Sequence, residues 1–131
     1  DTLGAALLTP TRIYVRPALA AIRAGGVRAI AHITGGGLAE NLGRIVPNAV
    51  QVVLDRGSWT APAVFPWLQE LGGVARDEMD RVFNMGIGMV LVVSPHFSDS
   101  IRHQLTDLGH ACWTIGSVRP ATPADERVTF G

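Results

Sequence analysis

The chain contains no lysine, and all eleven of its basic residues are arginines. Without lysine, the chain cannot supply the lysine of a P-loop, of a Schiff base or of a kinase-type site. If it handles a phosphate, backbone N–H groups and arginine side chains must do so. A bias in genome composition is the simpler explanation of why the chain has no lysine.

Cysteine, net charge and long apolar runs are scarce as well. Cys112 is the single cysteine, which excludes an internal disulfide and a cysteine zinc cluster, and favours a reducing, cytoplasmic setting. The formal net charge is +0, so no broad electrostatic attraction to nucleic acid or to an anionic membrane is expected. No apolar run reaches the roughly 18 residues that a membrane span requires.

The length and the pattern of apolar residues predict one domain over residues 1–131. A hydrophobic fraction of 47% is typical of a folded chain. Strands and helices alternate, which predicts an α+β fold, a layered domain with a mixed β-sheet flanked by helices. No signal-peptide pattern occurs and the first residue is Asp1, so we expect a fragment or a processed form. The role of the tail 119–131 is open.

Periodicity and turn residues predict ten elements. The helices are expected at 17–23, 38–46, 64–71, 77–83 and 98–108, and the strands at 27–33, 50–55, 87–93, 111–118 and 127–130. The strand at 87–93 is nearly all apolar, which predicts a central position in the sheet. Residues 1–11 show no strong period.

The segment HITGGGLAEN, residues 32–41, places three glycines between a predicted strand and a predicted helix. The first N–H groups of a helix have no internal partner, and glycine lets an anion approach them closely. A phosphate bound by Thr34-Gly35-Gly36-Gly37 is one interpretation. A tight turn that merely tolerates glycine is the other. The pattern is neither a P-loop nor a dinucleotide fingerprint.

Further candidates lie outside this loop. A second glycine-bearing turn, Asn84 to Met89, leads into the strand at 87–93, and two such strand ends can line one crevice. Arg12 could bind a phosphate through its guanidinium group or simply be exposed, and Tyr14 could stack on a base or pack in the core. His32 could act as an acid, a base or a phosphate ligand, or simply be packed.

The remaining aromatic and histidine side chains have simpler interpretations. The tryptophans suggest core or interface positions, the other histidines suggest the surface, and Cys112 suggests buried packing. No pair of histidines has metal-ligand spacing, so we predict no metal site in this chain. These residues are Trp59, Trp67, Trp113, His96, His103 and His110.

The segments TPTRIYV (9–15), HITGGGLAEN (32–41), VFPWLQ (64–69) and FNMGIGM (83–89) together resemble the C-terminal domain of the phosphoribosylformylglycinamidine cyclo-ligase family, also called aminoimidazole ribonucleotide synthetase. Trp59 and the segment WTIG (113–116) extend the resemblance over most of the chain. The glycine loop recurs in the wider superfamily, whereas TPTRIYV and FNMGIGM are more specific to the cyclo-ligase.

The resemblance implies an enzyme of purine biosynthesis. Family members use ATP and Mg²⁺ to convert formylglycinamidine ribonucleotide into aminoimidazole ribonucleotide, ADP and phosphate. They have two domains and form dimers, and an N-terminal domain that this chain lacks binds most of the ATP and metal. We therefore expect the isolated domain to be inactive. Its partners would be the ribonucleotide substrate and that N-terminal domain, not nucleic acid or a membrane.

The resemblance also assigns residues. Thr34, Gly35, Gly36 and Gly37 would hold a phosphate, which we expect to be that of the substrate ribonucleotide. His32 and Asn84 are the candidates for catalysis, and the other cleft residues would be Arg12, Tyr14, Gly86 and Gly88.

Two alternative functions remain open. The chain could belong to a related ATP-using enzyme of the selenophosphate synthetase, thiamine-monophosphate kinase or hydrogenase maturation type. It could also be a non-enzymatic phosphate-binding module that reuses the fold.

Overall fold

The computed structural model describes residues 2–131, which form six helices and five strands. The helices are α1 (Leu3–Leu7), α2 (Val15–Ala24), α3 (Gly37–Gly43), α4 (Val64–Gly72), α5 (Arg76–Val82) and α6 (Ser98–Asp107). The strands are β1 (Val27–His32), β2 (Val50–Leu54), β3 (Met89–Val93), β4 (Gly116–Pro120) and β5 (Val128–Phe130). Short 3-10 turns occupy Arg56–Ser58 and Pro95–Phe97.

The strands form two small sheets. In the first, β1 and β3 are antiparallel, with His32 opposite Met89. In the second, β2 lies in the middle, antiparallel to β4 and parallel to β5. This second sheet is mixed, and with the flanking helices it confirms the expected α+β class. The tail, whose role the sequence left open, supplies β5 where a strand was expected at 127–130. Val128 of β5 pairs with Val52 of β2.

The main core lies where α3, α5 and the strands meet. Leu42 of α3, Leu54 of β2 and Met79 of α5 are its largest fully buried side chains. Truncating such a side chain to alanine costs about 2–5 kcal/mol of folding free energy. A second cluster joins Ala21 of α2 to Ile101 and Leu105 of α6. Ile33 and Leu38, which flank the loop between β1 and α3, belong to the main core and anchor both ends of that loop.

Two predictions about the elements are wrong, and one helix forms where the sequence predicted no element. Strand β3 is not central, because within the described residues it pairs with β1 alone. The strand expected at 111–118 occupies Gly116–Pro120 instead. The first residues form the short helix α1, which Thr2 caps by accepting a 3.1 Å hydrogen bond from the Ala5 N–H.

No helix within residues 2–131 combines the length and apolarity that crossing a bilayer demands.

Candidate functional site

The two glycine-bearing loops lie side by side at one end of the first sheet. The N–H of Ile33 donates a 2.9 Å hydrogen bond to the carbonyl oxygen of Gly88, one step beyond the last paired residues of β1 and β3. Because these strands are antiparallel, the loop that follows β1 meets the loop that precedes β3. The structure therefore brings together the two segments that the sequence singled out.

Asn41 holds the first loop, Thr34 to Gly37, in place. Its side chain is 5% exposed, and its Nδ2 donates hydrogen bonds to the carbonyl oxygens of Gly37 at 2.7 Å and Thr34 at 3.2 Å. The Thr34 hydroxyl donates to Asn41 Oδ1 at 3.2 Å. Sequence reasoning missed this role, although an amide side chain four residues after the last loop glycine was the available signal.

The three loop glycines are present for different reasons. Gly36 and Gly37 have φ angles of 96° and 68°, in the left-handed region that favours glycine. A Cβ on Gly37 would also overlap the carbonyl oxygen of Asp80. Gly35 has neither constraint, because it is exposed and a Cβ there would meet nothing within 4 Å. Backbone geometry thus explains two glycines, and open space for a ligand lies over the third.

Two backbone N–H groups of the same loop are unpaired. Within residues 2–131, the N–H groups of Gly35 and Gly36 have no hydrogen-bond acceptor, whereas the N–H of Gly37 donates to the Thr34 carbonyl oxygen at 3.1 Å. Two consecutive unpaired N–H groups at such a turn can donate to one anion, and the neighbouring carboxylate of Glu40, which lies beside Gly36, is paired with Arg44. The loop has the chemistry to bind a phosphate oxygen through its backbone.

Asn84 shapes the second loop from within. Its Oδ1 accepts a 2.8 Å hydrogen bond from the N–H of Gly86, which has a φ of 94° and lies against Pro62. The indole N–H of Trp59 donates to the carbonyl oxygen of Met85 at 3.0 Å and closes the loop from the core side. The side-chain oxygen of Asn84, a candidate for catalysis, is therefore engaged in the turn itself.

Tyr14 lies over the second loop, between two histidines. Its hydroxyl occupies the space where a Cβ of Gly88 would lie. Its ring centroid is 6.0 Å from that of His32 and 6.3 Å from that of His110. His110 is therefore not the surface residue that the sequence suggested, since it is half-buried beside the site. His96 and His103 are exposed, as expected.

A groove of about 1260 Å³ runs from this cluster along residues of both sheets. Arg12, Tyr14, Gly86, Gly88 and His110 line its walls near the loops. Arg12 is exposed and forms no ion pair with any described acidic residue. Its guanidinium group is available to an anionic ligand that enters the groove.

The other predicted residues divide between core and surface. Trp59 is buried at 8% exposure, whereas Trp67 and Trp113 are 40% and 44% exposed.

Burial raises the pKa of the half-buried Cys112 thiol, and nearby Arg102 opposes that shift weakly. The hydrogen bond from Arg81 lowers the pKa of Glu78, but this pair lies on the exposed face of α5. Residues 2–131 contain no group of three metal-ligating side chains placed to hold an ion.

Comparison with known proteins places these features in a family. Residues 1–126 match the family model described as AIR synthase related protein, C-terminal domain. Phosphoribosylformylglycinamidine cyclo-ligases from three strains of Burkholderia mallei, SAVP1, NCTC 10229 and NCTC 10247, are each 49% identical to the chain over 118 residues. The alignment covers 90% of this chain and 34% of each relative, so the chain spans about a third of their length. The match takes in both glycine loops and nearly all of the fold, and the chain belongs to the family of AIR synthase related proteins, as their C-terminal domain.

Proposed function

We propose that this chain is the C-terminal domain of an ATP-dependent cyclo-ligase of purine biosynthesis. The reaction would convert formylglycinamidine ribonucleotide into aminoimidazole ribonucleotide, ADP and phosphate. The observation that carries the proposal is the 49% identity to proteins of that name over 118 residues, which include both glycine loops. The structure adds that these loops meet at one edge of a sheet and that the second loop lines a groove.

The first loop would bind the phosphate of the ribonucleotide. The unpaired N–H groups of Gly35 and Gly36 are the donors, and Asn41 keeps the loop carbonyl oxygens turned away from the anion. Arg12 supplies a full positive charge on the groove wall, and a guanidinium group binds phosphate oxygens bidentately. This arrangement binds a phosphate without lysine, consistent with a chain that has none.

The second loop and its neighbours would hold the rest of the substrate. His32 and Tyr14 lie in edge-to-face contact, and the Tyr14 hydroxyl covers Gly88. A sugar or an amidine that enters the groove would meet Tyr14 on its wall, and His32 is in edge-to-face contact with that ring. His32, with an exposed imidazole, is the proposed group that exchanges a proton with the substrate. Asn84 contributes by fixing the turn.

The described residues do not fit a Mg²⁺–ATP site. They include no cluster of metal-ligating side chains, and the chain has no lysine for the transferring phosphate. We propose that ATP and Mg²⁺ are held mainly by an N-terminal domain, in the part of the relatives' length that this chain does not span. This division assigns substrate binding to the present domain and leaves nucleotide binding to the other.

Exposed apolar side chains support a partner domain. Leu8 and Ile13 are 83% and 81% exposed, and they flank the TPTR segment beside the groove. Such side chains at the mouth of a site are typical of a surface that another domain covers. We propose that the N-terminal domain covers them, that the two-domain protein is a dimer, and that it acts in the cytoplasm.

Activity assays of the chain alone and of the chain fused to the N-terminal part of a relative test the proposal. The 131-residue chain alone should show no turnover of formylglycinamidine ribonucleotide with ATP. Fusion behind the N-terminal part of a Burkholderia mallei relative should restore turnover, and Gly35→Val in the fusion should raise the substrate KM. Turnover by the isolated chain would contradict the division of roles. A fusion active only on selenide or thiamine phosphate would favour a related ATP-using enzyme, and phosphate binding with no turnover would favour a non-enzymatic module.

A further inference from the structure

A buried carboxylate lies directly behind the first glycine loop. Asp80 of α5 is 6% exposed, its Oδ2 accepts a 2.7 Å hydrogen bond from Nε of Arg56, and Nη2 of Arg56 lies 2.5 Å from the same oxygen in an ion pair. The Nε of Arg76 lies 3.4 Å from Oδ1. Two arginines therefore compensate a charge that would otherwise be costly to bury.

Arg56 connects this carboxylate to the second sheet. It belongs to the 3-10 turn that follows β2, and its guanidinium carbon lies 4.3 Å from the ring centroid of Phe130 in β5. The same group contacts Asp77 at 3.0 Å. Because its side chain is only 34% exposed and has partners on both sides, Arg56 fixes the distance between α5 and the second sheet.

Helix α5 in turn touches both glycine loops. The carbonyl oxygens of Asp80 and Phe83 fill the space beside Gly37 where a side chain would lie. The chain then leaves α5 directly into the turn of Asn84 and Gly86. A hollow of about 370 Å³, lined by Gly36, Arg56 and Asp80 among others, adjoins the loop on this side. A shift of α5 would therefore move both loops.

We propose that Arg56 and Asp80 are positioning residues that set the spacing of the two glycine loops. Neither residue touches the groove side of the site. Their ion pair fixes the position of α5. The carbonyl oxygens of Asp80 and Phe83 then pack against Gly37, and the chain continues from α5 directly into the turn at Gly86. The consequence for phosphate binding rests on the function proposed above, whereas the positioning of the loops does not.

Hydrogen exchange of the 131-residue chain, followed residue by residue by NMR, tests the positioning. The Arg56→Met variant keeps an apolar stem over Phe130 and removes the charge. We expect the amides of Gly37 and Gly86 to exchange at least about fivefold faster, while amides of α6 stay within about twofold, because the loops would open locally. The matched control is Arg102→Met, which breaks the exposed pair with Asp99 on α6 and should leave both loops unchanged.

A second variant and a ligand separate positioning from general destabilisation. Arg56→Lys retains the charge without the two-nitrogen contact, so loop exchange should fall between wild type and Arg56→Met. Ribose 5-phosphate should bind Arg56→Met at least about tenfold more weakly than wild type, because misplaced donors lose most of their binding energy. Uniformly faster exchange in α6 and the loops, or unchanged loop exchange, would overturn the inference. If wild type fails to bind ribose 5-phosphate, the proposed phosphate role fails, and the exchange rates still decide the positioning.

Discussion

The N–H of Ile33 donates a hydrogen bond to the carbonyl oxygen of Gly88, and this bond joins the two glycine-bearing loops of the domain. It extends the β1–β3 ladder by one step, to the point where both strands give way to loops. Together with Tyr14, whose hydroxyl lies over Gly88, it makes the two loops one surface. Changes at this junction should therefore affect both loops.

Gly88→Ala is expected to destabilise the domain through Tyr14. The new Cβ would overlap the Tyr14 hydroxyl, and such overpacking costs about 1–3 kcal/mol of unfolding free energy. Tyr14→Phe in the same chain removes the hydroxyl and should recover part of the loss. Urea denaturation of the two single variants and the double variant measures the coupling. Strictly additive effects would show that the two residues do not meet.

Gly37→Ala should cost more than the same change at Gly35. At Gly37 the φ angle of 68° and the carbonyl oxygens of Asp80 and Phe83 both exclude a Cβ, so we expect a loss of about 2–4 kcal/mol. Gly35→Ala meets no atom within 4 Å and should stay within about 0.5 kcal/mol of wild type. Thermal or urea unfolding checks both, and equal losses would refute the distinction between the glycines.

Asn41→Ala should loosen the first loop. The substitution leaves the carbonyl oxygens of Thr34 and Gly37 without their donor, and a lost buried partner costs about 1–3 kcal/mol. Asn41→Asp should be at least as harmful, because a carboxylate would face those oxygens. Differential scanning calorimetry gives the stability. Should the aspartate variant unfold at the wild-type temperature, the assigned hydrogen bonds would be wrong.

The Cys112 thiol should resist alkylation at mildly alkaline pH. Burial raises its pKa in the folded chain, so the folded state holds the proton more tightly than the unfolded state. The contribution to stability is therefore complete below the pKa of the unfolded thiol and is lost as the pH rises through the folded value. Iodoacetamide at pH 8 should react more slowly with the native chain than with the chain in urea. Equal rates would exclude the raised pKa.

Local patterns predicted the two glycine-bearing turns correctly because turn formation depends on neighbouring residues. Three glycines between a strand and a helix predicted the turn at 34–37, and the paired loops followed from the strand at 87–93. The role of Asn41 was missed, since it depends on which carbonyl oxygens the fold turns inward. The place of His110 beside Tyr14 was also missed, since the two are distant in sequence and meet only through tertiary packing.

The errors about strands have a physical cause too. The apolar run of β3 goes with partial burial of all five residues, but it does not indicate how many strands pair with β3, and within the described residues only β1 does. The strand at 116–120 was placed too early because Cys112, Trp113 and Ile115 also favour extended structure. Its true bounds are set by pairing with β2, where Gly116 lies opposite Leu54.

Binding of ribose 5-phosphate to the 131-residue chain, mapped on its backbone amides by NMR, tests the account most directly. The predicted result is that the largest shifts occur at Gly35 and Gly36, and that Gly35→Val, which fits the fold but fills the space over the loop, abolishes them. Arg12→Met should weaken binding without moving the site. Shifts confined to other parts of the chain, or binding that survives Gly35→Val unchanged, would contradict the assignment of this loop as the phosphate site.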